Sequence, residues 1–456
     1  MELFHHARTS TLDDLNTAPS PTDFWYNYAL PLSHSFEAVR HAVCALGGAH
    51  RVFKLRRSVE SKLALDQLER ASIQQYNRAI ASIKSVMASA TERDMEVILT
   101  CCVIFIGLEN LHGHYAESLR HMKAGTSLLV SLLSQCIRQQ HTDLLTAGDT
   151  ISDGNGRMVS SSSLLGRRPN LEFLDDFAQT LSRLANDVWM YIREMIAPDL
   201  NVYDATDDVG SYFPKQSFDS VGEAEKYLHA VIRLLEVDGA IIDHKLIVWS
   251  RQAHRGRPVF ESSDMLLTPW SSIMSPGAAE NMFWSWSERF DHFQSQFDES
   301  TATRQDVLRK RALAVDQALW SGWLRCTDWR IYRPEDFEEI VRRAELLVEL
   351  DAFKSSPVFA FDGSLILCLA LPCVESEDSA LQWRTIRLLR SFWRREGIWD
   401  SHEVADILEA TVIATSKGVV AKNALPWDVP NLARLMASLN LDEVYIPNGP
   451  QLIVDT

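Results

Sequence analysis

The segment ERDMEVILTCCVIFIGLENLHG, residues 92–113, is apolar on every side through its middle. It is long enough for about six helical turns. A helix with no polar face must be covered all round by other elements. It therefore belongs at the centre of a multi-helix assembly, and the sequence around it must supply the cover. Its longest apolar run, Val97 to Leu108, is too short to span a bilayer, which needs about 20 apolar residues, so a buried core helix is expected.

The flanking sequence has the right character. Phe36, Val39, Val43 and Leu46 fall on one helical face, with Gly47-Gly48 as the expected stop. A longer helix over 58–89 carries its stripe on residues such as Leu65, Tyr76, Ala79 and Ile83, and GHYAESLRHMKAGTSLLVSLLSQCIRQQ supplies another. Four consecutive helices with short links predict an antiparallel bundle or the start of a solenoid-like array. Helical patterning continues at 171–196, 221–249, 280–298, 302–327, 334–354, 358–371, 379–396 and 401–417. No alternating Val/Ile/Thr run is long enough for a sheet. Only EVYIPNGPQLIVDT, at the end, reads as a strand-like tail. The expected fold class is all-α, a large multi-helix bundle or solenoid-like array forming one domain. Its expected parts are an N-terminal extension (1–23), a helical core (24–139), a Gly/Ser-rich loop (140–170), a second helical stretch (171–440) and a tail (441–456).

Charge narrows the function. The net charge is −16, and DNA affinity rests largely on phosphate neutralisation by Lys and Arg, so direct DNA binding is not expected. The short basic cluster LRKRA, 308–312, has the composition of a nuclear-import signal, though a solvated helix face is the simpler reading. The seven cysteines are odd in number, sit mostly in apolar runs and include no Cys-x-x-Cys, which reads as reduced, buried thiols. The N-terminus has no apolar signal core.

The stretch EGIWDSHEV places Asp400, Ser401, His402 and Glu403 side by side, the residue types of a hydrolase triad. Adjacent residues at a helix start diverge and cannot form a nucleophile–base–orienter relay. The pattern instead reads as a helix ending at Gly397, Trp399 in the core, and a new helix with Asp400 as N-cap and Glu403 completing a capping box. No phosphate-binding Gly-rich loop and no Gly-x-Ser-x-Gly elbow occurs. Glu109, His112, His114 and His121 are metal-ligand types. However, His112 and His114 are two apart, which on a helix sends them to different sides, and no His-x-x-x-His pair exists. Accordingly no catalytic residue, no metal and no cofactor is expected. Thirteen tryptophans are many, and Trp270, Trp284, Trp286, Trp320 and Trp323 cluster in one third of the chain. They are ordinary core fillers or, alternatively, the lining of an apolar ligand pocket.

Four segments together resemble one family, the regulatory region of fungal zinc-binuclear-cluster transcription factors. They are DFWYNYALPLSHSFEAVRHAVCALGGAH, QQYNRAIASI, TCCVIFIGLENLHGHYAESLRHMKAGTSLL and TIRLLRSFWRREGIWDSHEVADILEA. The motif positions are Glu109, Gly113, His121, Gly125, Leu128 and Leu129 in the third and Glu396, Gly397, Trp399 and Asp400 in the fourth. The resemblance covers 24–139 well and 280–410 loosely. It implies an all-helical regulatory domain, a role in transcription, a nuclear location and, in many cases, a neighbouring biosynthetic gene cluster. The six-cysteine zinc module of that family is absent from the sequence. The implied role is therefore a co-regulator acting through other transcription factors or co-regulators, with a small apolar metabolite as a further partner and neither DNA nor membrane contacted directly. Two alternatives stand beside it: a helical domain recruited as a biosynthetic enzyme or metabolite-binding protein, and a zinc module encoded upstream of Met1.

Overall fold

A computed structural model describes residues 2–15, 24–55, 62–88, 92–148, parts of 173–184, 217–237, 277–325, 333–354, and 356–417 apart from 362 and 364. Helix α1 (Glu37–Leu55) lies against α2 (Lys62–Ala88) and α3 (Glu92–His112), and α3 lies against α4 (Tyr115–Gly148). Helix α3 is long and apolar enough to cross a membrane, but 78% of its apolar window is buried inside the protein. Val97, Leu99, Val103, Ile104, Ile106 and Leu108 are all fully enclosed. Each such side chain contributes about 1.5–3 kcal/mol of hydrophobic stabilisation. The all-round apolar pattern was therefore legible as the centre of the first core.

Gly47-Gly48 is not a helix stop. Helix α1 runs through both to Leu55. A Cβ on Gly47 would lie 2.5 Å from the Leu3 carbonyl oxygen, and one on Gly48 would lie 2.8 Å from the Ser72 Cβ. The glycines let the N-terminal segment 2–15 and helix α2 close onto α1, and Ser72 Oγ seals the second contact by donating to the Ala45 carbonyl at 2.7 Å. The N-terminal segments 2–15 and 24–35 are short helical turns, with π-helical pieces at Ala7–Thr11 and Trp25–Ala29, that pack on α1.

Among the described residues the second half has two further cores. Helices α5 (Val221–Val237), α6 (Ala278–Gln296) and α7 (Arg304–Arg325) enclose an aromatic core around Trp286, Phe283 and Phe290. Helix α8 (Pro334–Val348), β1 (Val358–Ala360), α9 (Leu365–Glu375), α10 (Ser379–Ser391), β2 (Arg394–Glu396), β3 (Trp399–Asp400) and α11 (Ser401–Ser416) follow. The helices of this series form the remaining core with α7. Among the described residues the architecture is all-α with one small sheet, ordered β1-β2-β3, in which β1 and β2 are parallel and β2 and β3 antiparallel.

That sheet corrects two helix boundaries. The helix expected over 358–371 is a strand followed by a helix that starts at Leu365. Phe359 and Phe361, alternating as on a strand, insert into the first core. The helix expected to reach Glu396 stops at Ser391, and residues 394–396 pair with β1 instead. Gly397, with φ +53°, is thus not a helix terminator. It opens the two-residue turn between β2 and β3, where Glu396 pairs with Trp399. The expected loop begins later than 140, since α4 runs to Gly148, and the C-terminal tail lies outside the described residues.

Candidate functional site

The third and fourth motif segments, nearly three hundred residues apart, meet at the C-terminal end of α3. Arg395 makes the junction. It is only 4% exposed. Its Nη1 donates to the carbonyl oxygens of Asn110 (3.0 Å) and Leu111 (3.4 Å). These belong to the last turn of α3, whose carbonyls have no partner within the helix. A cation there also meets the negative end of the helix dipole. The same guanidinium reaches the Asp400 carboxylate at 3.1 Å and Glu403 Oε1 at 3.1 Å. Across the seam Tyr115, at the start of α4, donates its hydroxyl to Glu403 Oε2 at 3.3 Å, and burial pushes the Tyr115 phenol upward so that it stays protonated.

The neighbouring motif residues each hold a local element in place. Glu396, 1% exposed, accepts from the Ile366 backbone N–H at 2.9 Å and so caps α9, while Arg394 Nε pairs with its other oxygen at 2.6 Å. The Gly397 N–H donates to the Ala360 carbonyl at 3.0 Å, tying the turn to β1. Trp399 is buried in the α8–α11 core. Asp400 is the N-cap of α11, its Oδ1 accepting from the N–H groups of His402 (3.0 Å) and Glu403 (3.2 Å). Ser401 Oγ donates to the Phe392 carbonyl at 3.0 Å, and His402 Nε2 sits 3.1 Å from that same oxygen. The hydrolase-like letters thus form a helix start. Glu403, expected to complete a capping box, instead extends its carboxylate to Arg395 and Tyr115.

A second polar group lies on the other face of the α3 end. Glu109 is 3% exposed and accepts from the Tyr76 hydroxyl at 2.6 Å. That hydroxyl has one proton, so it accepts from His121 Nε2 at 2.9 Å, which places the His121 proton on Nε2. Burial lowers the His121 pKa and keeps the ring neutral. His114 Nδ1 approaches the other Glu109 oxygen at 3.0 Å. His112 and His114 do not point to different sides, as helical spacing alone would require. Helix α3 ends at His112 and Gly113 takes φ +77°, which turns His114 back until the two rings are 5.6 Å apart.

Of the tryptophans, Trp286 is fully buried, stacked on Phe290 at 5.0 Å, with its Nε1 donating to the Ala224 carbonyl at 2.8 Å. Trp284, Trp320 and Trp323 are partly buried against the same core, and Trp270 lies outside the described residues. Lys310 and Arg311 of the LRKRA cluster are part of α7 and both pair with Glu299, at 2.5 and 2.6 Å, as expected of a helix face. Among the described residues Cys44, Cys101, Cys102, Cys368 and Cys373 are free thiols, and burial pushes Cys102 up to about 11 and Cys373 up to about 12.

One buried cluster had no sequence signal. His50, fully buried on α1, donates from Nε2 to Asp14 at 3.0 Å and therefore accepts at Nδ1 from His6 Nε2 at 3.1 Å. Lys54 joins Asp14 at 2.7 Å and donates to the Pro357 carbonyl at 2.6 Å, reaching the residue before β1. No motif spacing connects these positions, because they converge only when segment 2–15 folds back on α1.

With this geometry in place, known proteins give the comparison. A family model described as the fungal specific transcription factor domain matches residues 2–181. Residues 2–181 thus resemble a fungal specific transcription factor domain. The matched region contains most of the first core, the α3–α4 corner and the carbonyls that Arg395 reads, while Arg395 itself and the Phe359 and Phe361 side chains that complete that core lie beyond it. A curated relative, the aspercryptin biosynthesis cluster-specific transcription regulator atnN of Emericella nidulans, is 29% identical over 167 residues, covering 33% of this chain and 27% of the relative. The chain thus spans about a quarter of that relative's length. No solved structure gives a significant match.

Proposed function

We propose that the chain regulates transcription, as a co-regulator that works through protein contacts and not by gripping DNA itself. The observation that carries the reading is the match of residues 2–181 to the fungal specific transcription factor domain. The net charge of −16 fits a protein whose partners are other transcription factors or co-regulators, because phosphate backbones repel such a surface. The named role of the relative in a biosynthesis cluster supports genes of a fungal secondary-metabolite cluster as targets, with the nucleus as the site of action. For a small apolar metabolite, the partly exposed Trp284, Trp320 and Trp323 are the proposed contact residues.

Tethering tests this directly. The chain is fused to an unrelated DNA-binding module and expressed with a matching reporter in a fungal host. Reporter output is expected to change several-fold relative to the module alone, and the isolated chain is expected to give no sequence-selective gel shift at physiological salt. A reporter indifferent to the fusion at matched expression, or tight selective DNA binding by the chain alone, refutes the reading.

A further inference from the structure

We propose that Glu109, His112 and His114 form a binding site for a divalent transition ion of the zinc class, a site independent of the regulatory reading above. The geometry arises from how α3 ends. Glu109 and His112 stand three residues apart in the final turn and so share a helix face. The next two residues make a Schellman turn. The Gly113 N–H donates to the Asn110 carbonyl at 3.2 Å, and the His114 N–H donates to the Glu109 carbonyl at 2.9 Å. That turn lays the side chain after the glycine over the residue three positions before the helix cap. The contact is usually apolar. Here it joins a carboxylate to an imidazole at 3.0 Å and leaves the second imidazole 5.6 Å away, ring to ring.

One ligand atom from each of the three residues lies within 4.8 Å of the other two. Tetrahedral zinc at the usual bond lengths holds its donors about 3.4 Å apart. Closing that gap takes small rotations. His114 is 63% exposed and free to turn, while the carboxylate it would join is already fixed. Tyr76 holds Glu109 Oε1 and is itself oriented by His121, the kind of supporting shell that aims a metal ligand. Two imidazoles and one carboxylate suit zinc, cobalt, nickel or ferrous iron better than calcium or magnesium, which prefer all-oxygen sets. The exposed side of His114 gives an entry path and leaves a coordination position for water. The ion would tie the end of α3 to the start of α4, next to Tyr115 and its bond to Glu403.

The test uses the full chain, stripped with a chelator, exposed to Zn²⁺ and dialysed. Elemental analysis is expected to find about one zinc per chain. The double variant His112→Gln/His114→Gln, with unchanged far-UV circular dichroism, is expected to lose it. Cobalt substitution is expected to give ligand-field bands without thiolate charge transfer, which separates this site from one using cysteines. Should the double variant fold poorly, His114→Gln alone alters an exposed side chain and is expected to weaken zinc at least tenfold in competition with a chromophoric chelator. No retained zinc in the parent chain, thiolate bands, or zinc affinity unchanged in His114→Gln overturns the proposal.

Discussion

Arg395 and Arg384 each hold two carboxylates, in very different surroundings. Arg384 on α10 makes a bidentate pair with Glu345, at 2.6 Å from both Nε and Nη2, and a further contact to Glu338 at 2.5 Å, with its side chain 31% exposed. Arg395 sits 3.1 Å from each of its carboxylates, with its side chain 4% exposed, and also serves two helix carbonyls. The shorter bonds belong to the less consequential residue. Water competes for Arg384 and refills its site when the side chain is gone. Nothing refills the site of Arg395, where the carbonyls of Asn110 and Leu111 and the Asp400 carboxylate would be left behind in the interior.

The sharpest way to break that comparison is Arg395→Met. Keeping the volume and removing the charge is expected to destabilise the protein by about 3–5 kcal/mol, the range for a buried pair that loses one member. Urea unfolding followed by circular dichroism checks it, read as a lower midpoint, and the tethered reporter should fall with it. A midpoint within error of the parent would mean that the seam is wetter than its burial indicates and that Arg395 and Arg384 are equivalent after all.

A pH series sharpens the same contrast with a second buried cluster. Burial, with the neighbouring His50 and the cations Arg51 and Lys54 adding to it, lowers the His6 pKa from 6.5 to about 4, and burial also lowers that of His50. In the unfolded chain both rings take a proton as the pH falls below 6.5. In the folded chain His6 resists until about 4, so the unfolded state binds more protons in that window. Stability is therefore whole above pH 6.5 and declines toward pH 4, by about 1–3 kcal/mol for His6 once solvent screening is allowed for. Asp14 acts at lower pH: its folded pKa lies below 3.8, so its contribution is present above that value and disappears beneath it. Urea midpoints at intervals from pH 7 to 4 give the slope, and His6→Gln is expected to flatten it. A parent protein equally stable at both ends would mean that segment 2–15 does not stay docked on α1.

How far these features could be read in advance depends on the range over which each is specified. Helix α3 was legible because burial on all sides needs only its own residues. Asp400 was legible as an N-cap because the cap and its N–H donors lie within three residues. The strand Val358–Ala360 was not. Its three residues are too few for a periodicity, and their extended form depends on β2 more than thirty residues later. The junction of Arg395 with α3 was hidden for the same reason, since Arg394-Arg395 looks like any solvated basic pair until the fold brings the Asn110 carbonyl to it. The histidine corner is the instructive case. Helical spacing separates residues two apart, but Gly113 ends the helix between His112 and His114, so helical spacing does not govern this pair.

The smallest expected effect belongs to the more exposed arginine. Arg384→Met removes a bidentate pair and a third hydrogen bond, which on distances alone would cost more than the loss of Arg395. The side-chain bonds of Arg384 hold the Glu345 carboxylate below its usual range, yet both groups are about one-third exposed and their carboxylates stay hydrated without the arginine. The expected cost is about 0.2–1 kcal/mol, and raising the ionic strength to 1 M, where screening acts over about 3 Å, is expected to erase most of it. Paired urea titrations of parent and variant at low and high salt measure both quantities. A cost rivalling that of Arg395→Met, or one indifferent to salt, would show that bond length outranks burial in this fold.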